Sequence, residues 1–172
     1  MNLPVSRCER DAHIASGGAT GTLVIGIGNS LMGDDGAGIH VISRLTGVSL
    51  PDDIELVDGG TLSFTLLERV ENAARLIIVD AAALDAEPGT VQVFHESAMD
   101  EFLNSRSRPS VHEVNLLDVL TAARLRGRMP ARYSLVGIQP EFIGWSSEPS
   151  ARVAAGIERA AETISNLLEN AA

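Results

Sequence analysis

Short apolar runs alternate with longer, more polar segments along the chain, and this alternation predicts the elements of the fold. Five runs rich in β-branched residues are short enough to be strands, at residues 22–27, 54–58, 75–81, 91–95 and 132–138. Apolar residues at helical spacing lie between them: Ile39, Val41, Ile42 and Leu45; Leu62, Leu66, Leu67 and Val70; Val114, Leu117, Leu120 and Leu125. Because strands and helices alternate, we expect a parallel sheet covered by helices on both faces.

Two segments refine this expectation. The connection between the runs at 75–81 and 91–95 is too short for a crossover helix, so the run at 91–95 is expected to be an antiparallel edge strand or a hairpin partner. The last segment predicts the clearest helix, with the apolar stripe Val153, Ile157, Ala160, Ile164 and Leu168. The expected fold is a single three-layer α/β domain with a mostly parallel, twisted sheet of about five strands.

Composition excludes several classes of function. The net charge of −10 disfavours binding to nucleic acids and to anionic membranes, which repel such a field. All 13 basic residues are arginine, which excludes P-loop lysines and Schiff-base chemistry. The single cysteine, Cys8, excludes a disulfide framework and cysteine-based zinc sites and favours a cytoplasmic location.

The first twenty residues differ in character from the rest of the chain. They mix charged residues with Pro, Gly and Ser and contain no apolar core of a secretory signal. We expect residues 1–20 to form a flexible N-terminal extension and residues 21–172 to form the α/β domain. No stretch approaches the roughly 18 continuous apolar residues of a membrane span, so no membrane insertion is expected.

Acidic residues stand where predicted strands end. Asp34 and Asp35 follow the first strand, Asp58 follows the second, and Asp80 ends the third. Ligands of open parallel sheets bind outside this edge, near the point where the strand order reverses. Asp80 ends the most apolar run, where an unpaired charge is costly, so it requires a cation, a donor or a proton. The alternative is that Asp80 caps the turn that follows it.

The acidic turn "GIGNSLMGDDGAG" has two further interpretations. Gly26 and Gly28 fit the start of a dinucleotide-binding fingerprint, but Leu31 stands where its third glycine belongs, and two aspartates would repel a pyrophosphate. The second interpretation is that Asp34 or Asp35 simply caps the helix that follows.

His112 stands at the predicted start of a helix, with Ser110 as a candidate N-cap and Glu113 as a first-turn acid. A charged imidazole is disfavoured there, whereas a neutral one suits metal ligation. Together with two strand-end aspartates it forms a ligand set for a borderline divalent metal such as nickel, zinc or iron. The remaining histidines, His13, His40 and His95, lack such a context. Two carboxylates that share a proton, as in aspartic proteases, are a further possibility that the sequence leaves open.

Taken together, five motifs resemble the family of hydrogenase maturation proteases. They are "GIGNSLMGDDGAG", "ELVDGGT", "LIIVDA", "SVHEVNLLDVL" and "LVGIQPE", in that order, and the resemblance runs from about Thr22 to Leu168. It implies an endopeptidase that removes a C-terminal extension from the large-subunit precursor of a [NiFe] hydrogenase after nickel insertion.

The resemblance also implies the site residues. By position, the family's metal-contacting residues fall on Asp35, Asp80 and His112, which are then also the catalytic candidates. Lesser candidates are Asp34, Asp58, Gly59 and Gly60. The implied metal is nickel, supplied by the substrate, or another divalent metal in the isolated protein. An alternative is an accessory protein that binds nickel through the same residues and passes it on without cleaving a peptide.

Overall fold

Five strands form one twisted sheet: β1 (Thr22–Ile27), β2 (Ile54–Gly60), β3 (Arg75–Ala81), β4 (Val91–His95) and β5 (Arg132–Ile138). They belong to a computed structural model that describes residues 21–61, 64–105 and 111–169. The strand order is β2-β1-β3-β5-β4. All neighbours pair in parallel except β4, which lies antiparallel to β5 at the edge. The predicted parallel sheet is confirmed, and the run at 91–95 is an edge strand beside β5 rather than a hairpin partner of β3.

Helices cover both faces of the sheet: α1 (Ala37–Thr46), α2 (Leu67–Asn72), α3 (Glu96–Asn104), α4 (Val111–Leu125) and α5 (Ala151–Glu169). One buried cluster joins α1 and α5 to one face of the sheet. A second cluster joins α2, α3 and α4 to the opposite face. The predicted three-layer α/β arrangement is therefore confirmed.

The central strands are apolar along their whole length because helices cover both of their faces. In β3 the five residues from Leu76 to Asp80 are all buried. Leu76 and Ile78 join one cluster, while Ile77 and Val79 join the other, as the alternation of a strand requires. Each buried aliphatic side chain contributes roughly 1.5 to 3 kcal/mol to folding, so β3 is an anchor of the core and holds Asp80 in a fixed place.

The helical predictions hold where the apolar stripe is long. All five stripe residues of α5 are buried, from Val153 to Leu168. In α4, Leu120 is buried as expected, but Leu125 is 83% exposed because it lies in the last turn of the helix. The predictions for residues 1–20 lie outside the described residues, as do those for Leu62, Ser110 and the side chains of Glu113 and Val114. Over the part of the chain that is described, no helix has the length and apolar character needed to cross a membrane.

Candidate active site

The candidate site lies at the carboxyl edge of the sheet, where the chain direction around the sheet reverses. After β1 the chain adds β2 on one side of it and then β3 on the other. Asp35 follows β1 in a short helical turn, and Asp80 is the last buried residue of β3. His112 is the second residue of α4. Two strand exits and one helix start therefore supply the three predicted residues, at the place where ligands of such sheets bind.

The imidazole of His112 lies between the carboxylates of Asp35 and Asp80. Its Nε2 atom is 3.7 Å from Oδ2 of Asp35, and its Nδ1 atom is 3.6 Å from Oδ1 of Asp80. Asp80 and His112 are buried, while the side chain of Asp35 is the most exposed of the three. The structure thus brings the three predicted residues together, with Asp35 nearest to the surface by its exposure.

Asp80 is a buried carboxylate, and one of its two oxygens lacks a hydrogen-bond partner among the described residues. Burial has the largest effect and raises the pKa of Asp80, and the charge of Asp35 raises it further. His112 and the N–H of Ala81 lower the pKa, but the net pKa of Asp80 is raised. Among the described residues, Oδ1 of Asp80 has no hydrogen-bond partner, and 3.6 Å to Nδ1 of His112 is too long for one. A buried oxygen in this state requires a cation or a further donor.

Two carboxylates and an imidazole are suitable ligands for a divalent cation, but the three side chains are not arranged around one common point. Over residues 21–61, 64–105 and 111–169, no group of three or more His, Cys, Asp and Glu side chains is spaced to hold a metal ion. The two ring nitrogens of His112 face different carboxylates. For all three side chains to share one ion, the imidazole has to turn so that one nitrogen and both carboxylates face the same point.

Asp34 fastens the turn that carries Asp35 to the loop between β5 and α5. Its Oδ2 atom accepts hydrogen bonds from the N–H groups of Glu141 and Phe142, at 2.8 and 2.7 Å. Ser150 donates its N–H to Oδ1 at 2.6 Å and its hydroxyl to Oδ2 at 3.0 Å. The carboxylate is fully buried, so this contact fixes the position of both loops.

These contacts correct the interpretation of the acidic pair as a helix cap. Among the described residues, no side chain caps either the turn at Asp34–Gly36 or α1, whose N-cap residue is Gly36. Burial raises the pKa of Asp34, but the N–H groups of Phe142, Ser150 and Glu141 and the Ser150 hydroxyl outweigh burial, and the net pKa is lowered. The carboxylate of Asp34 is therefore held in its charged form by the loop between β5 and α5, not by the helix.

Comparison with known proteins decides the family. The family description "Hydrogenase maturation protease" (HycI) matches residues 39–167, a span that contains Asp80 and His112 and begins just after Asp35. The chain is 34% identical over 144 residues to the hydrogenase 2 maturation protease of Escherichia coli strain K12, covering 83% of this chain and 87% of that protein. The chain belongs to the hydrogenase maturation protease family. This confirms the predicted family and, at the level of the family, the predicted peptidase.

Two further similarities support the assignment to the maturation proteases. The hydrogenase expression/formation protein HupD of Rhizobium leguminosarum bv. viciae is 33% identical over 150 residues, which is 86% of this chain and 74% of HupD. The structure of the maturating endopeptidase HybD from Escherichia coli superposes with a TM-score of 0.81 at 33% identity, covering 88% of this chain and 93% of that one. Other HupD, HupM and HoxM relatives are longer, and the chain spans 59% to 66% of three of them.

In this maturation protease, Asp58 shapes a turn at the end of β2. Its Oδ1 atom accepts the N–H of Gly60 at 2.9 Å, and Gly60 has a φ of 52°, which favours glycine. A Cβ on Gly59 would lie 2.6 Å from Cγ2 of Ile25, so that glycine packs against the sheet. The Asp58 side chain is exposed. These contacts explain the sequence of the turn, and a functional part for these three lesser candidates stays a prediction.

The glycines of the first motif allow close packing of the backbone around the acidic turn. Gly28 has a φ of 141°, and a Cβ there would lie 2.0 Å from the carbonyl oxygen of Asp35. A Cβ on Gly38 would lie 2.2 Å from the carbonyl oxygen of Val79, so α1 rests directly on the sheet. Close packing of the backbone is thus enough to account for Gly28 and Gly38.

Several positioning residues of the maturation protease were not predicted. Gln139 accepts the N–H of Leu84 at 2.6 Å through Oε1, which fixes the loop after Asp80 to the exit of β5. Ser150 was not singled out, although it supplies two of the four hydrogen bonds to Asp34. The partners in each pair are far apart in sequence, so no local pattern reveals them. His95, which was given no role, lies with Nδ1 2.8 Å from Oγ of Ser134.

Proposed function

We propose that the protein is an endopeptidase that removes the C-terminal extension of a [NiFe] hydrogenase large-subunit precursor once nickel has been inserted. The observation that supports this most directly is the buried, unsatisfied carboxylate of Asp80 beside His112 and Asp35. The family supports the reaction class, and relatives bear the names "Hydrogenase 2 maturation protease" and "hydrogenase maturating endopeptidase".

In this proposal the nickel ion of the precursor is the cation that the acidic edge recognises. Carboxylates and imidazole are harder ligands than thiolates, so they contact a nickel ion without extracting it from a thiolate site. Asp35 is the most exposed of the three side chains and meets the incoming substrate first. A precursor that lacks nickel leaves the carboxylates without a counter-charge and binds less well. The protease therefore distinguishes precursors in which nickel has been inserted from those in which it has not.

Two routes to peptide cleavage are compatible with these residues. In one, the metal polarises the carbonyl of the scissile bond; in the other, a carboxylate activates a water molecule. Before the precursor binds, Nδ1 of the imidazole faces Asp80 and Nε2 faces Asp35. In both routes Asp35, Asp80 and His112 contact the nickel ion of the precursor once the imidazole has turned toward it.

The test is incubation of the protein with the nickel-loaded and the nickel-free precursor, followed by intact-mass measurement of the large subunit. We expect a shortened large subunit only from the nickel-loaded precursor. Transfer of nickel without shortening would instead identify a nickel-binding accessory protein. Equal shortening of both precursors would contradict recognition of the metal.

A further inference from the structure

Four large apolar side chains are exposed on the two loops that meet beside the candidate site. They are Leu31, Phe142, Ile143 and Trp145, with exposed fractions of 58%, 56%, 54% and 84%. We call this set the rim patch. Large exposed apolar side chains that lie together and are surrounded by polar residues mark interaction sites on soluble proteins.

The backbone beneath the rim patch is fixed. The N–H of Gly33 donates to the carbonyl of Ser146 at 2.8 Å, and the N–H of Ser146 donates to the carbonyl of Leu31 at 3.1 Å. The buried Asp34 carboxylate ties the same two loops together from below through Glu141, Phe142 and Ser150. A surface held in this way loses little conformational freedom on binding, which favours association.

The ring of Phe142 lies close to the backbone of two glycines despite its exposure. A Cβ on Gly144 would lie 2.4 Å from Cζ of this ring, and a Cβ on Gly33 would lie 3.5 Å from its Cδ1. The ring thus packs against the backbone of Gly144 and lies within van der Waals distance of the space beside Gly33. An aromatic ring next to an exposed Trp145 is the type of anchor that dominates the energetics of protein interfaces.

The charge around the rim patch indicates the chemistry of its partner. Glu141 and Glu148 bracket the patch on its loop and are exposed, and Nη1 of Arg152 lies 4.0 Å from Oε1 of Glu141. The chain as a whole carries a net charge of −10. A partner with an apolar protrusion flanked by Arg or Lys complements both features. Asp35 stands four residues after Leu31 in the same turn, so a protein seated on the patch presents its neighbouring segments to the site.

We propose that the rim patch is the surface on which the folded body of the large-subunit precursor docks, so that its nickel and C-terminal extension reach Asp35 and His112. This inference rests on the proposed function, since the precursor is the substrate named there. It adds a binding surface outside the three site residues, one that determines the affinity for the precursor and leaves the chemical step unchanged.

The first experiment measures processing as a function of precursor concentration. Trp145→Ser and the double variant Phe142→Ser/Ile143→Ser are expected to raise KM at least about tenfold, with kcat within about twofold of wild type. Matched controls are Leu125→Ser and Val48→Ser, which remove equally exposed apolar side chains elsewhere. The controls are expected to keep the wild-type KM, and circular dichroism checks that all variants fold.

The outcomes separate this inference from the proposed function. If wild type cleaves the nickel-loaded precursor and the patch variants keep its KM, the docking surface is wrong and the proposed function stands. If wild type cleaves no precursor, the proposed function fails and the docking surface with it. If the patch variants abolish self-association of the protein while KM is unchanged, a second copy of the chain is the occupant and the inference is overturned.

A second experiment observes the patch directly, because Trp145 is the single tryptophan of the chain. The Asp80→Asn variant, labelled with 5-fluorotryptophan, gives one fluorine NMR signal and is expected to cut the precursor too slowly to deplete it during the measurement. Adding unlabelled, nickel-loaded precursor is expected to shift and broaden that signal. An unchanged signal while the two proteins co-elute in size-exclusion chromatography would show that they bind through another surface.

Discussion

Replacing Asp34 with alanine is expected to lower the free energy of unfolding by about 3 to 5 kcal/mol, whereas alanine at neighbouring Asp35 costs about 1 kcal/mol. The carboxylate of Asp34 is buried and accepts four hydrogen bonds. Its removal leaves three N–H groups and a hydroxyl without their acceptor. Asp35 is partly exposed and accepts the N–H of Asn29 at 3.1 Å.

Urea and thermal unfolding of the two alanine variants measure this difference. For a chain of this size the Asp34→Ala variant is expected to melt about 6 to 20 °C below wild type. Asp34→Asn keeps one carbonyl acceptor and is expected to fall between the two alanine variants. Equal losses at the two positions would show that the hydrogen bonds of Asp34 do not hold the loop between β5 and α5.

Replacing Asp80 with asparagine is expected to slow precursor processing by about 100- to 10,000-fold without loss of stability. Asparagine has nearly the same shape, and it removes a carboxylate that burial makes costly, as the raised pKa of Asp80 indicates. We expect the free energy of unfolding to stay within about 1 kcal/mol of wild type or to exceed it. A residue whose replacement slows the reaction without lowering the free energy of unfolding is one that serves function and not stability.

Glu71→Gln is the matched control, because Glu71 is another buried carboxylate, on α2 and away from the acidic edge. Its Oε1 atom lies 2.8 Å from Nε of Arg126. Glu71→Gln is expected to lower the free energy of unfolding by about 1 to 3 kcal/mol and to process the precursor at the wild-type rate. Initial rates by intact mass and urea unfolding of both variants test the contrast. Wild-type processing by Asp80→Asn would exclude Asp80 from the site.

The place of the site follows from the sequence because it depends on the order of elements alone. An apolar run such as 75–81 is recognisable as a buried strand, and the carboxyl ends of parallel strands lie at one edge of the sheet. Asp35 and Asp80 therefore had to lie near one another once the strands were identified. His112 was grouped with these aspartates because of its ligand chemistry, and the resemblance to a family then assigned it to the site. Its position at a helix start carries no information about which strand it faces.

The role of Asp34 does not follow from the sequence, because its partners lie 107 to 116 residues further along the chain. The local pattern shows only an acid before a helix, which is typical of a cap. The helix α3 was also missed, since only Met99 and Leu103 of its nine residues are buried. Two apolar positions one turn apart do not separate a helix from a loop.

The central claim is that Asp35, Asp80 and His112 contact the nickel ion carried by the precursor. Nickel K-edge X-ray absorption tests it most directly, on the nickel-loaded precursor alone and freeze-quenched with the protein. The account predicts additional nitrogen and oxygen ligands on nickel in the mixture, with an imidazole signature that is absent when His112→Ala replaces wild type. Identical nickel spectra with and without the protein, under conditions in which the precursor is being cut, would contradict it.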